Sequence, residues 1–148
     1  MIKYNQELKE SIINLLSFRL RSRIEVERRY LSKGYNAKEI NSVLNHLESK
    51  GYINDEKFAK MYASYLIKSK LLGKRLVLYK FKIHQIEMDT LVPIIDELYK
   101  KYTPSSLIKI IIKRKFPELS YDAESKKRIH SYLKRKGFSW KDYGFIFE

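Results

Sequence analysis

Three histidines, His46, His84 and His130, are the side chains of this 148-residue sequence best suited to proton transfer or metal ligation, and they lie far apart. Ligands and acid–base pairs usually announce themselves by close spacing on one element, and no such spacing surrounds any of the three. Cysteine is absent, which excludes disulfides, thiolate metal sites and cysteine nucleophiles together. The glycines are isolated, so neither a GxGxxG turn nor a P-loop is present to cradle a phosphate. Carboxylates interleave with lysines, as in Glu48-Ser49-Lys50 and Asp96-Glu97-Leu98-Tyr99-Lys100-Lys101, a pattern that helical charge pairing explains without catalysis. Many of the 12 tyrosines follow apolar faces, which makes core packing the stronger reading for them. No cofactor or metal is implied. What remains is cationic chemistry, the pairing of Lys and Arg with phosphates or with acidic surfaces.

The candidate contact residues are therefore basic. Arg19, Arg21, Arg23, Arg28, Arg29 and Lys33 crowd one segment, and Lys68, Lys70, Lys74 and Arg75 flank Gly73. Lys113-Arg114-Lys115, Lys126-Lys127-Arg128 and Lys134-Arg135-Lys136 cluster in the last third. Any single cluster could be a solvated helix face; the set together points to binding. Aromatics interleave with lysine in Tyr79-Lys80-Phe81-Lys82, but those rings suit core positions equally well. Overall, 31 Lys and Arg stand against 17 Asp and Glu, a net charge of +14. Basic and acidic residues number 10 and 6 in residues 1–54, 10 and 6 in 55–102, and 11 and 5 in 103–148. The excess runs the length of the chain, as suits a body lying along an anionic partner.

The elements that must position these cations are helices. Apolar residues recur at helical spacing in Leu8, Ile12, Leu15, Leu16, Leu20; in Ile40, Val43, Leu44, Leu47; in Phe58, Met61, Tyr62, Tyr65, Leu66; and in Leu91, Ile94, Ile95, Leu98. Ser22-Arg23-Ile24-Glu25 has the form of a capping box, Asn54-Asp55-Glu56 caps the next helix, and Thr103-Pro104 opens another. Gly34, Gly51 and Gly137 each follow a lysine and precede an aromatic, as helix-ending glycines in the left-handed conformation do. Tyr79–His84 alternates like a strand, but an internal repeat sets it opposite the helix at 23–33 and no pairing strand is evident, so a helix is expected.

Lys33-Gly34-Tyr35-Asn36-Ala37-Lys38-Glu39-Ile40 resembles Lys136-Gly137-Phe138-Ser139-Trp140-Lys141-Asp142-Tyr143, with His84–Leu91 as a weaker copy between them. The apolar pattern after each copy also repeats: Ile40, Val43, Leu44; Leu91, Ile94, Ile95; Tyr143, Ile146, Phe147. The fold class expected is all-α, with three tandem three-helix repeats over residues 1–54, 55–102 and 103–148 stacked into an elongated, curved body.

Arg19–Val26, Lys33-Gly34-Tyr35 and Leu47–Ala59 resemble the signature segments of the RecX family, and Leu133–Ser139 is similar to that family's C-terminal repeat. The resemblance covers roughly residues 8 to 148. Its middle repeat departs from the pattern, with Gln85 where glycine is common. The resemblance implies tandem three-helix repeats that dock on filaments of a RecA-type recombinase on single-stranded DNA and modulate them, usually by inhibition, with no active site. DNA itself, single- or double-stranded, is the other expected partner. A helix-turn-helix DNA regulator is the rival reading, weakened by a threefold repeat that such a regulator does not need. No apolar run reaches the length of a membrane span, and residues 1–7 lack a leader pattern, so a cytoplasmic protein, monomeric when free, is expected.

Overall fold

Helix starts in this chain are set by side chains that accept the otherwise unpaired amide protons of a first turn. Asn5 accepts from Leu8 N–H at 2.9 Å, Asn54 from Lys57 at 3.1 Å, Thr103 from Ser106 at 3.3 Å and Asp122 from Ser125 at 2.7 Å. In the computed structural model, which describes residues 5–118 and 122–147, these caps open four of nine α-helices found among the described residues. They are α1 (Gln6–Leu16), α2 (Arg23–Ser32), α3 (Ala37–Ser49), α4 (Asp55–Ser64), α5 (Lys74–Phe81), α6 (Met88–Lys101), α7 (Pro104–Lys115), α8 (Ala123–Arg135) and α9 (Trp140–Tyr143). A π-helical turn, Tyr65–Ser69, continues α4, and 3-10 turns follow α5 (Lys82–His84) and α9 (Gly144–Phe147). There is no strand among the described residues, so Tyr79–His84 is helical. Of residues 1–7, read above for a leader pattern, 1–4 lie outside the described residues.

Helix ends obey the glycine reading. Gly34, Gly51 and Gly137 take φ of 94°, 82° and 97°, and Gln85, their counterpart in the weaker copy, takes 50°. Behind them Tyr35 donates its amide to Tyr30 O at 3.2 Å and Phe138 to Leu133 O at 3.1 Å, closing the last turns of α2 and α8.

The chain divides into two compact units: one runs through Met61 and takes in Ile83–Glu87, the other holds Tyr62–Lys82 and the chain from Met88 on. In the first, Leu8, Ile12 and Leu15 of α1, Val26 and Tyr30 of α2, Ile40, Val43, Leu44 and Leu47 of α3, and Ile53 make one buried cluster. Leu20 falls off the predicted α1 stripe because the helix ends at Leu16, and it is 40% exposed. The predicted face of α4 also shifts. Phe58 and Leu66 are buried, but Met61 and Tyr65 are 36% and 45% exposed while Ala59, Ala63 and Ile67 take the inner positions. Small alanines carry that stripe, and the wider π turn moves its phase.

In the second unit the start of α5 meets the end of α8 backbone to backbone. Gly73 N–H donates to Lys136 O at 2.9 Å. A Cβ on Gly73 would lie 2.4 Å from the Gly137 carbonyl carbon, and one on Gly137 would lie 2.6 Å from Leu76 Cβ. Neither glycine can carry a side chain without parting the two elements.

Candidate functional site

The basic residues divide sharply by what they touch. At the entry to α2, Glu25 accepts from Arg19 Nη2 at 2.5 Å and from Arg21 Nη1 at 2.7 Å. Partial burial pushes the Glu25 carboxyl up, and the hydrogen bonds and charges of Arg19 and Arg21 outweigh it, holding the group below its ordinary range. Glu25 is thereby drawn away from the reciprocal arm of the predicted capping box. Ser22 still accepts from Glu25 N–H, at 3.4 Å, and its buried hydroxyl meets His84 Nδ1 at 2.6 Å. Arg23 is a clasp: it donates to Glu48 at 2.7 Å and to Asn41 and Asn45 at 2.7 and 2.9 Å, while its own amide donates to Asp55 at 2.8 Å. Arg28 donates to Ile83 O at 2.7 Å. These four guanidiniums, taken from sequence as contact residues, are engaged inside their own unit. Arg29 and Lys33 remain at its surface, with Lys33 Nζ 5.0 Å from the Tyr30 ring centre.

Lys74, Arg75 and Lys136 of the second unit are engaged too. Lys74 pairs with Asp96 at 2.9 Å, Arg75 donates to Lys134 O, and Lys136 Nζ donates to Lys70 O at 2.9 Å. Arg75 and Gly73 N–H thus cap the carbonyl end of α8 with the positive start of α5, a favourable meeting of helix dipoles. Burial, and then the charge of Lys70, lower the Lys136 ammonium below its usual range.

Lys113, Arg114, Lys126, Lys127, Lys134 and Arg135 differ: their side chains make no ion pair or hydrogen bond with another described residue. Those at the ends of α7 and α8 suit the negative helix terminus. Lys126, Lys127 and Arg128 sit near the start of α8, where that dipole offers a cation nothing. The α8 face opposite the buried Ile129 and Leu133 joins the end of α7 around a groove of about 460 Å³. Its floor is aromatic: the Phe116 and Tyr132 rings meet edge to face, 5.6 Å apart at 86°. Arg128 lies 5.9 Å above Phe116, and Lys115 and Lys136 stand 5.7 and 6.0 Å from the Tyr132 ring centre. The sequence reading missed these two rings. Phe116 directly follows Lys113-Arg114-Lys115 and Tyr132 precedes Lys134, but their partnership spans two helices and no linear pattern shows it. Of the rings that interleave with lysine in the sequence, Tyr79 is 63% exposed, whereas Phe81 is buried 5.0 Å from the Tyr62 ring.

Among the described residues no three His, Cys, Asp or Glu side chains gather as a metal site, and no helix is long and apolar enough to cross a membrane. The basic all-α fold and its cationic groove define a small, strongly basic helical protein.

Residues 9–47, which hold most of α1–α3, match the family model described as "RecX, first three-helix domain". The chain is 33% identical over 130 residues to the regulatory protein RecX of Chlorobium limicola, a match spanning 86% of this chain and 79% of that protein. Against the regulatory protein RecX of Syntrophotalea carbinolica it is 27% identical over 132 residues, 87% of this chain and 86% of the relative. The crystal structure of RecX from Lactobacillus salivarius shares the fold, with a TM-score of 0.73 at 22% identity over 95% of this chain and 92% of that one. The chain belongs to the RecX family, and the relatives it matches are named as regulatory proteins.

Proposed function

We propose that this chain docks on filaments of a RecA-type recombinase assembled on single-stranded DNA and lowers their ATPase and strand-exchange activity, catalysing no reaction itself. Kinship with regulatory RecX proteins along most of the chain carries the reading. The cations of α7 and α8 that pair with no other described residue support it, since a recombinase filament offers an extended anionic partner. In this reading residues 1–54, 55–102 and 103–148 act as three successive three-helix repeats, each contributing to the docked surface. The free protein is a cytoplasmic monomer, because evenly spread positive charge opposes self-association. Docking shifts a filament between its active and inactive states only as far as the chain prefers one of them.

The test is titration of the protein into recombinase on single-stranded DNA, following ATP hydrolysis, with binding to bare DNA as the control. The expected result is a fall in hydrolysis at concentrations that leave bare DNA largely unbound. Unchanged hydrolysis together with tight binding to DNA alone overturns the reading in favour of a DNA-binding protein.

A further inference from the structure

The floor of the α7–α8 groove is a pair of rings, and its rim holds Lys115, Lys127, Arg128 and Arg135. Glu124 is the carboxylate among its lining residues, and among the described residues it forms no ion pair with a rim cation. Lys127, Ser131 and Arg135 recur every four residues, so they stand along one line on the α8 surface. A row of cations beside an aromatic floor has two complementary chemistries, phosphate for the row and a planar ring for the floor. Duplex DNA supplies the phosphates but keeps its bases stacked inside, out of reach of a floor between two helices. An acidic peptide supplies charge without a ring at every step. An unpaired polynucleotide supplies both.

We propose that the α7–α8 groove is a binding site for single-stranded nucleic acid, with backbone phosphates on Lys127, Arg135 and Lys115 and a base against the Tyr132 ring. The site deepens the filament reading by assigning direct contact with the strand to these two helices. It also stands apart from that reading in its test, because the strand is offered without recombinase. Lys115 now stands beside the Tyr132 ring, and a phosphate on its ammonium group draws it outward as the base takes the face, while Lys136 keeps its hydrogen bond to Lys70 O.

The experiment measures fluorescence anisotropy of a labelled oligothymidylate of about fifteen nucleotides, close to one single-strand site size, with the full chain. A duplex of equal length and heparin serve as competitors. Tyr132→Leu, which keeps apolar bulk and removes the ring, is expected to weaken single-strand binding about tenfold, the scale of one lost base stack. Tyr132→Phe restores it, and duplex binding is unmoved by either. Lys127→Glu with Arg135→Glu, both exposed positions, weakens strand and duplex alike. The wild-type log–log salt slope for the strand is expected at about −2, from roughly 0.7 per neutralised phosphate. Unchanged strand affinity in Tyr132→Leu, or heparin and duplex competing as well as the strand, overturns the site. If Tyr132→Leu fails to fold, unchanged strand affinity in the Lys127→Glu, Arg135→Glu variant overturns it equally. Loss of filament inhibition with these results intact overturns only the filament reading.

Discussion

Ser22 and His84 lie 62 positions apart in sequence and meet at 2.6 Å in a buried place, with the Phe58 ring 4.6 Å from the imidazole. The Ser22 hydroxyl also accepts from Glu25 N–H, so one oxygen ties the imidazole to the start of α2, whichever of Oγ and Nδ1 carries the proton between them. Burial, first, lowers the His84 pKa from its usual 6.5; the charges of Arg19 and Arg28 lower it further, while those of Glu25 and Asp55 raise it. A folded imidazole that resists protonation leaves the unfolded chain to take up the proton first. Stability from this site is therefore fully present above about pH 6.5 and is lost as pH falls toward the lower folded value. His46, also depressed by slight burial and by Lys9 and Lys50, gives the same sign, so the comparison must be between variants. Urea unfolding between pH 7.5 and 5 is expected to show a smaller acid-side loss of stability in His84→Gln than in the parent. Equal losses would assign the effect elsewhere. From sequence, His84 stands alone with no ligand spacing. Its partner is a serine that reads as an ordinary cap, and only the packing of residues 83–87 onto the first unit brings them together.

At the scale of elements, local signals carried most of the fold. Caps and left-handed glycines are decided within five residues, so α2, α4 and α7 start, and α2, α3 and α8 stop, where their side chains imply. The α4 face was less legible, because alanines read as neutral and a π turn changes the period after Ser64. Pairing of charges was not legible at all. Arg23 finds Glu48 25 residues away, and the linear clusters do not reveal which cations are already occupied. The weak middle copy gives the sharpest test of the repeat. Gln85 adopts φ 50° where its counterparts are glycines, a conformation that costs an L side chain about 1–2 kcal/mol. Gln85→Gly relieves that strain and gives back part of it as greater freedom in the unfolded chain. A gain of about 0.5–1 kcal/mol is expected, seen as a higher urea midpoint at unchanged slope. Gln85→Ala, still bearing a Cβ, should gain nothing.

At the scale of the whole molecule, the net charge of +14 sets how the chain meets a partner, and the structure separates two kinds of cation within it. Arg19, Arg21, Arg23 and Arg28 are held by carboxylates, amides and a carbonyl of their own unit, so offering them to a partner would first require breaking those contacts. Lys127 and Arg135 are exposed and pair with no other described residue, so a polyanion gains them at little cost. Exposed charges are screened over about 10 Å at 0.1 M salt, and ions bound to a polyanion are released when cations replace them. Affinity for a recombinase filament on single-stranded DNA is therefore expected to fall steeply as salt rises from about 50 to 200 mM, a range over which several phosphate contacts cost orders of magnitude. Lys127→Gln should flatten that dependence by about 0.7 of a unit in the log–log slope. Arg23→Gln should leave the slope unchanged and lower thermal stability instead, because what it loses is a clasp between α2 and α3. A flat salt response in the parent protein would remove the basic residues from the contact and leave the apolar surface to carry it.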